Sequence, residues 1–166
     1  MTIRPAAFAD CAAIAEIYDE GIASGLATFA TGPHNAAERA KWLAARVDRA
    51  PVFVAVADEV VRGWSALAPF SHRPWYNGVG EYTAYVANSA RGQGLGRLLV
   101  DHLVGVASEY GYWKLVGMIL PENAAGLALA RAAGFRLVGT HSGHAELGGC
   151  WQDVSVVERH VASPQH

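Results

Sequence analysis

Glu81-Tyr82-Thr83-Ala84-Tyr85-Val86 is followed, after Ala87-Asn88-Ser89-Ala90, by Arg91-Gly92-Gln93-Gly94-Leu95-Gly96-Arg97. The first run is rich in aromatic and β-branched residues and predicts a strand that shows Glu81, Thr83 and Tyr85 on one face. Behind the glycines, Leu95, Leu98, Leu99, Leu103 and Val106 repeat at helical spacing, which predicts a helix from Gly94 to Tyr110, stopped by Gly111. Glycines between a strand and a helix let backbone N–H groups approach an anion at the helix N-terminus, where pyrophosphate is favoured. An ordinary Gly-rich turn reads the same way in isolation. The dinucleotide fingerprint fails because its final Gly is displaced and no acidic residue ends a following strand at the right distance. A phosphate-binding P-loop fails for want of Gly-Lys-Ser/Thr.

Working outward, Ile3-Arg4-Pro5 predicts a short opening strand, and Ile14, Ile17 and Tyr18 mark a helix ending near Gly21. The segment Ser24–Thr31 is a connection that carries Phe29, and Asn35 to Val47 predicts a second helix. Val52–Val56 and Val60–Ala68 form a hairpin across Asp58-Glu59. Lys114–Leu120 predicts a buried strand, Pro121-Glu122-Asn123 the start of a fourth helix, and Gly134 its end before a strand at Phe135–Val138. Across Gly148-Gly149 the run Cys150–Val157 returns antiparallel as the closing strand. One domain over residues 1–161 is expected, with 162–166 a loose tail.

The chain has 166 residues, 52% apolar and 17% charged, enough apolar material for one packed core and no second domain. A formal net charge of −2 without basic runs argues against nucleic acid as a partner. No apolar stretch spans a bilayer and the first residues lack a signal peptide's apolar region, so no membrane partner and a cytoplasmic location are expected. Cys11 and Cys150 share no metal-ligand spacing; both are expected to be buried small residues, and no metal is expected. Trp64, Trp75, Trp113 and Trp151 are expected to serve packing, and His72 and His141 to be solvated.

With these residues in view, the chain resembles the GNAT acetyltransferase superfamily, whose Arg/Gln-x-x-Gly-x-Gly/Ala signature is met by Arg91, Gly94 and Gly96. The likeness continues through Pro121-Glu122-Asn123 and Ala132-Ala133-Gly134-Phe135. More narrowly, Ile17-Tyr18, Thr28-Phe29, Glu81–Val86, Tyr112-Trp113-Lys114 and Gly149–Val154 are similar to phosphinothricin and arsinothricin N-acetyltransferases. The resemblance implies an α/β (α+β) fold, a mixed and largely antiparallel twisted sheet of about six to seven strands flanked by about four helices. It implies acetyl-CoA as co-substrate, with Arg91, Gly92, Gln93, Gly94, Leu95, Gly96 and Arg97 around the pyrophosphate, backbone of Ala84-Tyr85-Val86 along the pantetheine, and Asn123 as a side-chain contact. A homodimer is implied as well.

An amine nucleophile with a pKa near ~10 is largely protonated at neutral pH, so acyl transfer needs a proton acceptor. Glu81 is the candidate general base, directly or through water, matching the family's glutamate; the alternative is a solvated strand-end residue. The family pattern Arg-x-x-Tyr implies that Arg73 and Tyr76 hold the carboxylate of an amino-acid substrate, against a surface salt bridge and loop packing. Phe29 as a wall of the substrate site, against burial in the helix interface, and His144 as a contact to an anionic head or a proton shuttle follow from the same likeness, while the position of Asn123 also suits an ordinary helix N-cap. Where many relatives carry a Tyr that protonates the leaving thiolate, this chain has Ala130. The implied activity is acetylation of the α-amine of phosphinothricin, arsinothricin or methionine sulfoximine type amino acids. Acetylation of a protein N-terminus or polyamine, and a non-catalytic CoA-binding regulator, are the competing readings.

Overall fold

The computed structural model describes residues 1–46 and 48–161, which form β1 (Thr2–Pro5), α1 (Cys11–Ala23), α2 (Ala36–Ala44), β2 (Val52–Ala57), β3 (Val60–Pro69), β4 (Val79–Val86), α3 (Leu95–Val106), β5 (Lys114–Ile119), α4 (Ala124–Ala132), β6 (Arg136–Leu147) and β7 (Cys150–His160). The seven strands make one mixed sheet in the order β1-β2-β3-β4-β5-β7-β6. Every neighbouring pair is antiparallel except β4 and β5. The fold class and strand count expected from the resemblance are those observed.

Local chemistry explains most boundaries. The β2–β3 hairpin turns at Asp58 and Glu59, both at positive φ, as a two-residue hairpin requires. Asn35 caps α2 by accepting from the Glu38 N–H at 3.0 Å while Glu38 reaches back to the Asn35 N–H at 3.0 Å. Helix α1 is anchored at its start by Asp10, which accepts from the Ala7 N–H at 2.8 Å and holds the Arg4 guanidinium in a two-point ion pair at 2.7 and 2.9 Å. That guanidinium holds the Asp10 carboxyl below its ordinary range.

Of the α3 stripe, Leu95, Leu99 and Leu103 are buried, together with Val100, while Val106 is partly buried and Leu98 is half exposed. Truncating one of these to Ala would cost about 2–5 kcal/mol. They pack toward β2, β3 and β4, while α1 and α2 pack on each other and on β3. The α3 helix ends at Val106 and the chain continues as a 3-10 turn to Tyr110, where Gly111 enters the left-handed region.

Several expectations need correction. Helix α2 stops at Ala44, with Ala45 as its C-cap, rather than reaching the position-47 boundary, which lies outside the described residues, as does the expected tail at 162–166. Strand β6 is continuous from Arg136 to Leu147, joining the expected strand at Phe135–Val138 to the extended segment expected before Gly148-Gly149, because it pairs with β7 across two register irregularities. Cys150 is exposed, not buried, since it opens β7 at the hairpin tip. Trp64 is buried and Trp113, 45% exposed, packs its ring over Gly78, but Trp75 and Trp151 are largely exposed and are not core packing residues.

Candidate active site

The parallel pairing of β4 with β5 lasts three rungs, Val79 with Lys114, Gly80 with Leu115 and Glu81 with Val116. On its other edge β4 stays paired with β3 as far as Val86 opposite Gly63. The two central strands therefore part after Glu81, and the β5-facing backbone groups of the segment through Val86 have no strand partner. Unpaired backbone donors and acceptors of this kind can take an extended ligand as a further strand would.

A cavity of about 90 Å³ sits at the split, bounded by Phe29, Tyr82, Ala84, Tyr85, Met118 and Asn123. A larger one of about 350 Å³ continues along Ala84, Tyr85, Val86, Arg91 and the glycines Gly92, Gly94 and Gly96. Both share Ala84, Tyr85, Asn123 and Gly126, so they form one trough from the Gly turn to the strand split. Its outer end is an anion cradle. Gly94 is the N-cap of α3 at φ 81°, a conformation that an L side chain disfavours, and it turns the chain so that the first N–H groups of the helix are unpaired. Leu95 lends only its backbone there, because its side chain is buried. Arg91 donates through Nε to the Val86 carbonyl at 3.3 Å, Gln93 donates to the Ser89 carbonyl at 3.1 Å, and Arg97 is paired with Asp101 at 2.5 Å. Asn123 caps α4, accepting from the Gly126 N–H at 2.8 Å, and lines the trough with the rest of its amide. Open backbone donors, an adjacent arginine and an extended slot suit a molecule that joins a pyrophosphate to a long amide-bearing arm.

Below the opposite face of β4, under α1 and α2, lies a separate cavity of about 210 Å³ lined by Glu81, Thr83 and Tyr85. The three share one face, as alternation predicts. Thr83 and Tyr85 also border the trough and so form the wall between the two spaces. Tyr85 is held rigidly, stacked on Trp64 at 4.7 Å and edge-on to Tyr18 at 5.0 Å. Burial alone pushes the Glu81 carboxyl above its ordinary value. A carboxylate so placed is a stronger proton acceptor than a solvated one.

The remaining expected substrate residues are more dispersed. Phe29 borders the trough rather than the cavity holding Glu81. Arg73 precedes and Tyr76 ends a 3-10 turn at Pro74–Tyr76, both exposed, with the Tyr76 ring 6.4 Å from that of Phe70. The return of this loop is pinned at Gly78: its carbonyl accepts from the N–H groups of Trp113 and Lys114, and a Cβ there would collide with the Trp113 ring. His144 lies exposed on β6, stacked on His141 at 4.3 Å, and lines none of these cavities. Ala130 is fully buried in the core and offers no proton.

Two residues beside Glu81 were not anticipated, Arg39 and Arg46. Arg39, Trp42 and Arg46 fall at helical spacing in an otherwise Ala-rich stretch, a repeat of cations around an aromatic that was the available signal.

Residues 3–156 match a family described as Acetyltransferase (GNAT) domain. The phosphinothricin N-acetyltransferase of Streptomyces viridochromogenes is 32% identical over 98% of this chain and 88% of its own length. The L-methionine sulfoximine/L-methionine sulfone acetyltransferase of Salmonella typhimurium is 30% identical over 95% of this chain and 93% of its own. Among solved structures, the GNAT superfamily phosphinothricin acetyltransferase from Sinorhizobium meliloti, a complex with AcCoA, superposes with a TM-score of 0.90 at 30% identity, covering 99% of this chain and 90% of that one. The ribosomal-protein-alanine N-acetyltransferase from Brucella melitensis superposes at 0.91 with 32% identity, covering 96% and 99%. A splayed strand pair leading to a glycine-turned helix, over a chain matched almost end to end, makes this protein an acetyltransferase of the GNAT family.

Proposed function

We propose that the chain moves acetyl from acetyl-CoA to the α-amine of a small anionic amino acid of the phosphinothricin, arsinothricin or methionine sulfoximine type, with Glu81 as general base. The observation that carries this reading is the position of Glu81, half-buried on the last rung before the strands part and facing a cavity large enough for a small amino acid. Acetyl-CoA supplies an activated thioester. Backbone N–H groups around Gly92, Gly94 and Gly96 hold its pyrophosphate, with Arg91, Gln93 and Arg97 around them. The free edge of Ala84-Tyr85-Val86 and the Asn123 amide orient its arm. Glu81 accepts the proton of the incoming ammonium, directly or through a water. Arg73 and Tyr76 hold the substrate carboxylate and Phe29 closes the wall between trough and substrate. Ala130 leaves thiolate protonation to water, which a thiol pKa near ~8.5 permits.

A homodimer is part of this proposal. Strand β6 is exposed along nearly its whole length, with Leu137 and Val138 at least half-open and Trp151 83% exposed beside it. Such an apolar edge favours a second copy. His144 takes part in substrate binding in that assembly, because it lines none of the three cavities described above. No described helix is long and apolar enough to cross a membrane, and two unpaired thiols support a reducing compartment, the cytoplasm.

Acetylation of a protein N-terminus is the second reading, favoured by the likeness to the Brucella melitensis enzyme. A steady-state assay of free CoA thiol release separates them. Phosphinothricin, methionine sulfoximine and methionine sulfone are expected to turn over with higher kcat/KM than N-terminal peptides or polyamines. Preference for a peptide would replace the amino-acid reading.

A further inference from the structure

Arg39 is 7% exposed and lines the cavity that holds Glu81. Its Nε is buried without an acceptor, and no carboxylate pairs with it among the described residues. Its guanidinium lies 4.1 Å above the Tyr18 ring and 5.3 Å from the Trp42 ring, so aromatic faces hold the cation in place but accept no directed hydrogen bond. Trp64 lines the same cavity, and its Nε1 donor is likewise buried and unsatisfied. Arg46 differs: its guanidinium donates to the carbonyls of Ala50, at 2.8 Å, and Leu67. A buried charge without a partner is costly, and Arg39 and Trp64, each carrying an unsatisfied buried donor, both line this cavity.

We propose that Arg39 binds an oxyanion of the substrate, with Trp64 as an auxiliary donor, so that the amino acid lies between this cation and Glu81. The inference rests on the acetyltransferase reading for the identity of the ligand, and it assigns to α2 a recognition role distinct from that of the exposed Arg73. The oxyanion is either an acidic side-chain head or the α-carboxylate, which Arg39 would then share with Arg73 and Tyr76, and the planar donor fork of Arg suits both.

The test is calorimetric binding to the wild type and to Arg39→Met and Arg39→Lys in the presence of CoA, paired with kinetics. Three amines serve as probes: phosphinothricin, with both acids; methionine sulfone, with the carboxylate only; and 3-aminopropyl(methyl)phosphinate, with the phosphinate only. Loss of a charged hydrogen bond predicts that Arg39→Met weakens phosphinothricin roughly ten- to hundredfold, with Arg39→Lys intermediate and KM for acetyl-CoA unchanged. A matching loss for methionine sulfone assigns Arg39 to the carboxylate, and one for the aminophosphinate assigns it to the side-chain acid. Equal loss for these probes and for n-propylamine, or a drop in Tm with probe affinities unchanged, overturns the inference and leaves Arg39 a post between α1 and α2. Because binding is read without turnover, an Arg39-dependent affinity in a protein that acetylates none of the amino acids would refute the proposed reaction and not the anion site.

Discussion

Glu81 and Val116 form the last rung of the parallel pair at the centre of the sheet. Up to that rung β4 is an internal strand; beyond it the same strand is an edge. The candidate base thus stands where a paired backbone becomes one with a free edge.

Glu81→Gln keeps the shape of the side chain and removes the proton acceptor. Turnover is expected to fall by ~10²- to 10⁴-fold with acetyl-CoA binding retained. Steady-state kinetics beside calorimetric CoA binding checks it. A limb of the wild-type pH–rate profile set by Glu81 should vanish in the variant, whereas one set by the substrate amine should persist.

The same substitution should stabilise the fold near neutral pH. Burial raises the Glu81 carboxyl in the folded chain, so the native state binds more protons than the unfolded one between the ordinary and the raised value. Stability therefore falls as pH rises through that window, and Glu81→Gln escapes the loss. The Tm difference between variant and wild type is expected to be positive at pH 7 and to shrink below the ordinary glutamate range.

Asp10 carries the opposite sign. Its carboxyl is held low by Arg4, so the stability it contributes is present above the ordinary aspartate value and is lost as pH falls through the depressed one. Asp10→Asn should lower Tm at neutral pH, and the gap should close in strong acid. A Tm difference independent of pH would mean that the cap to Ala7, not the ion pair, is what Asp10 provides.

At the turn, Gly94→Val should raise KM for acetyl-CoA at least about tenfold, because a β-branched residue disfavours positive φ and so tilts the N–H groups away from the anion. Gly94→Asn should lose less, since Asn tolerates the left-handed region and open space surrounds the position. Equal affinity of Gly94→Val and wild type, with the fold retained by circular dichroism, would remove the turn from cofactor binding.

Arg73→Ala should raise KM for amino acids bearing an α-carboxylate by roughly ten- to hundredfold, with KM for acetyl-CoA unchanged. An equal effect on an amine lacking the carboxylate would reduce Arg73 to a loop residue.

Much of this was legible in the linear chain because it depends on neighbours in sequence. The glycine turn, the Asn123 cap, the leucine stripe of α3 and the alternation of Glu81, Thr83 and Tyr85 are local patterns fixed by φ, capping and period. Pairing is not local. Nothing in Val79–Val86 says that β5 accompanies it for three rungs and then departs, and that departure creates the trough. The continuity of β6 was likewise hidden, since β7 imposes it across two register irregularities. Arg39 could be read only as a helix cation until packing placed it over Tyr18 and beside Glu81, some forty positions further along the chain. The sequence by itself determined which backbone segments can hold an anion and which carboxylate lies on an apolar strand. Tertiary structure alone decided which charges are buried without partners, because burial is a property of what folds over a residue and not of the residue's neighbours in the chain.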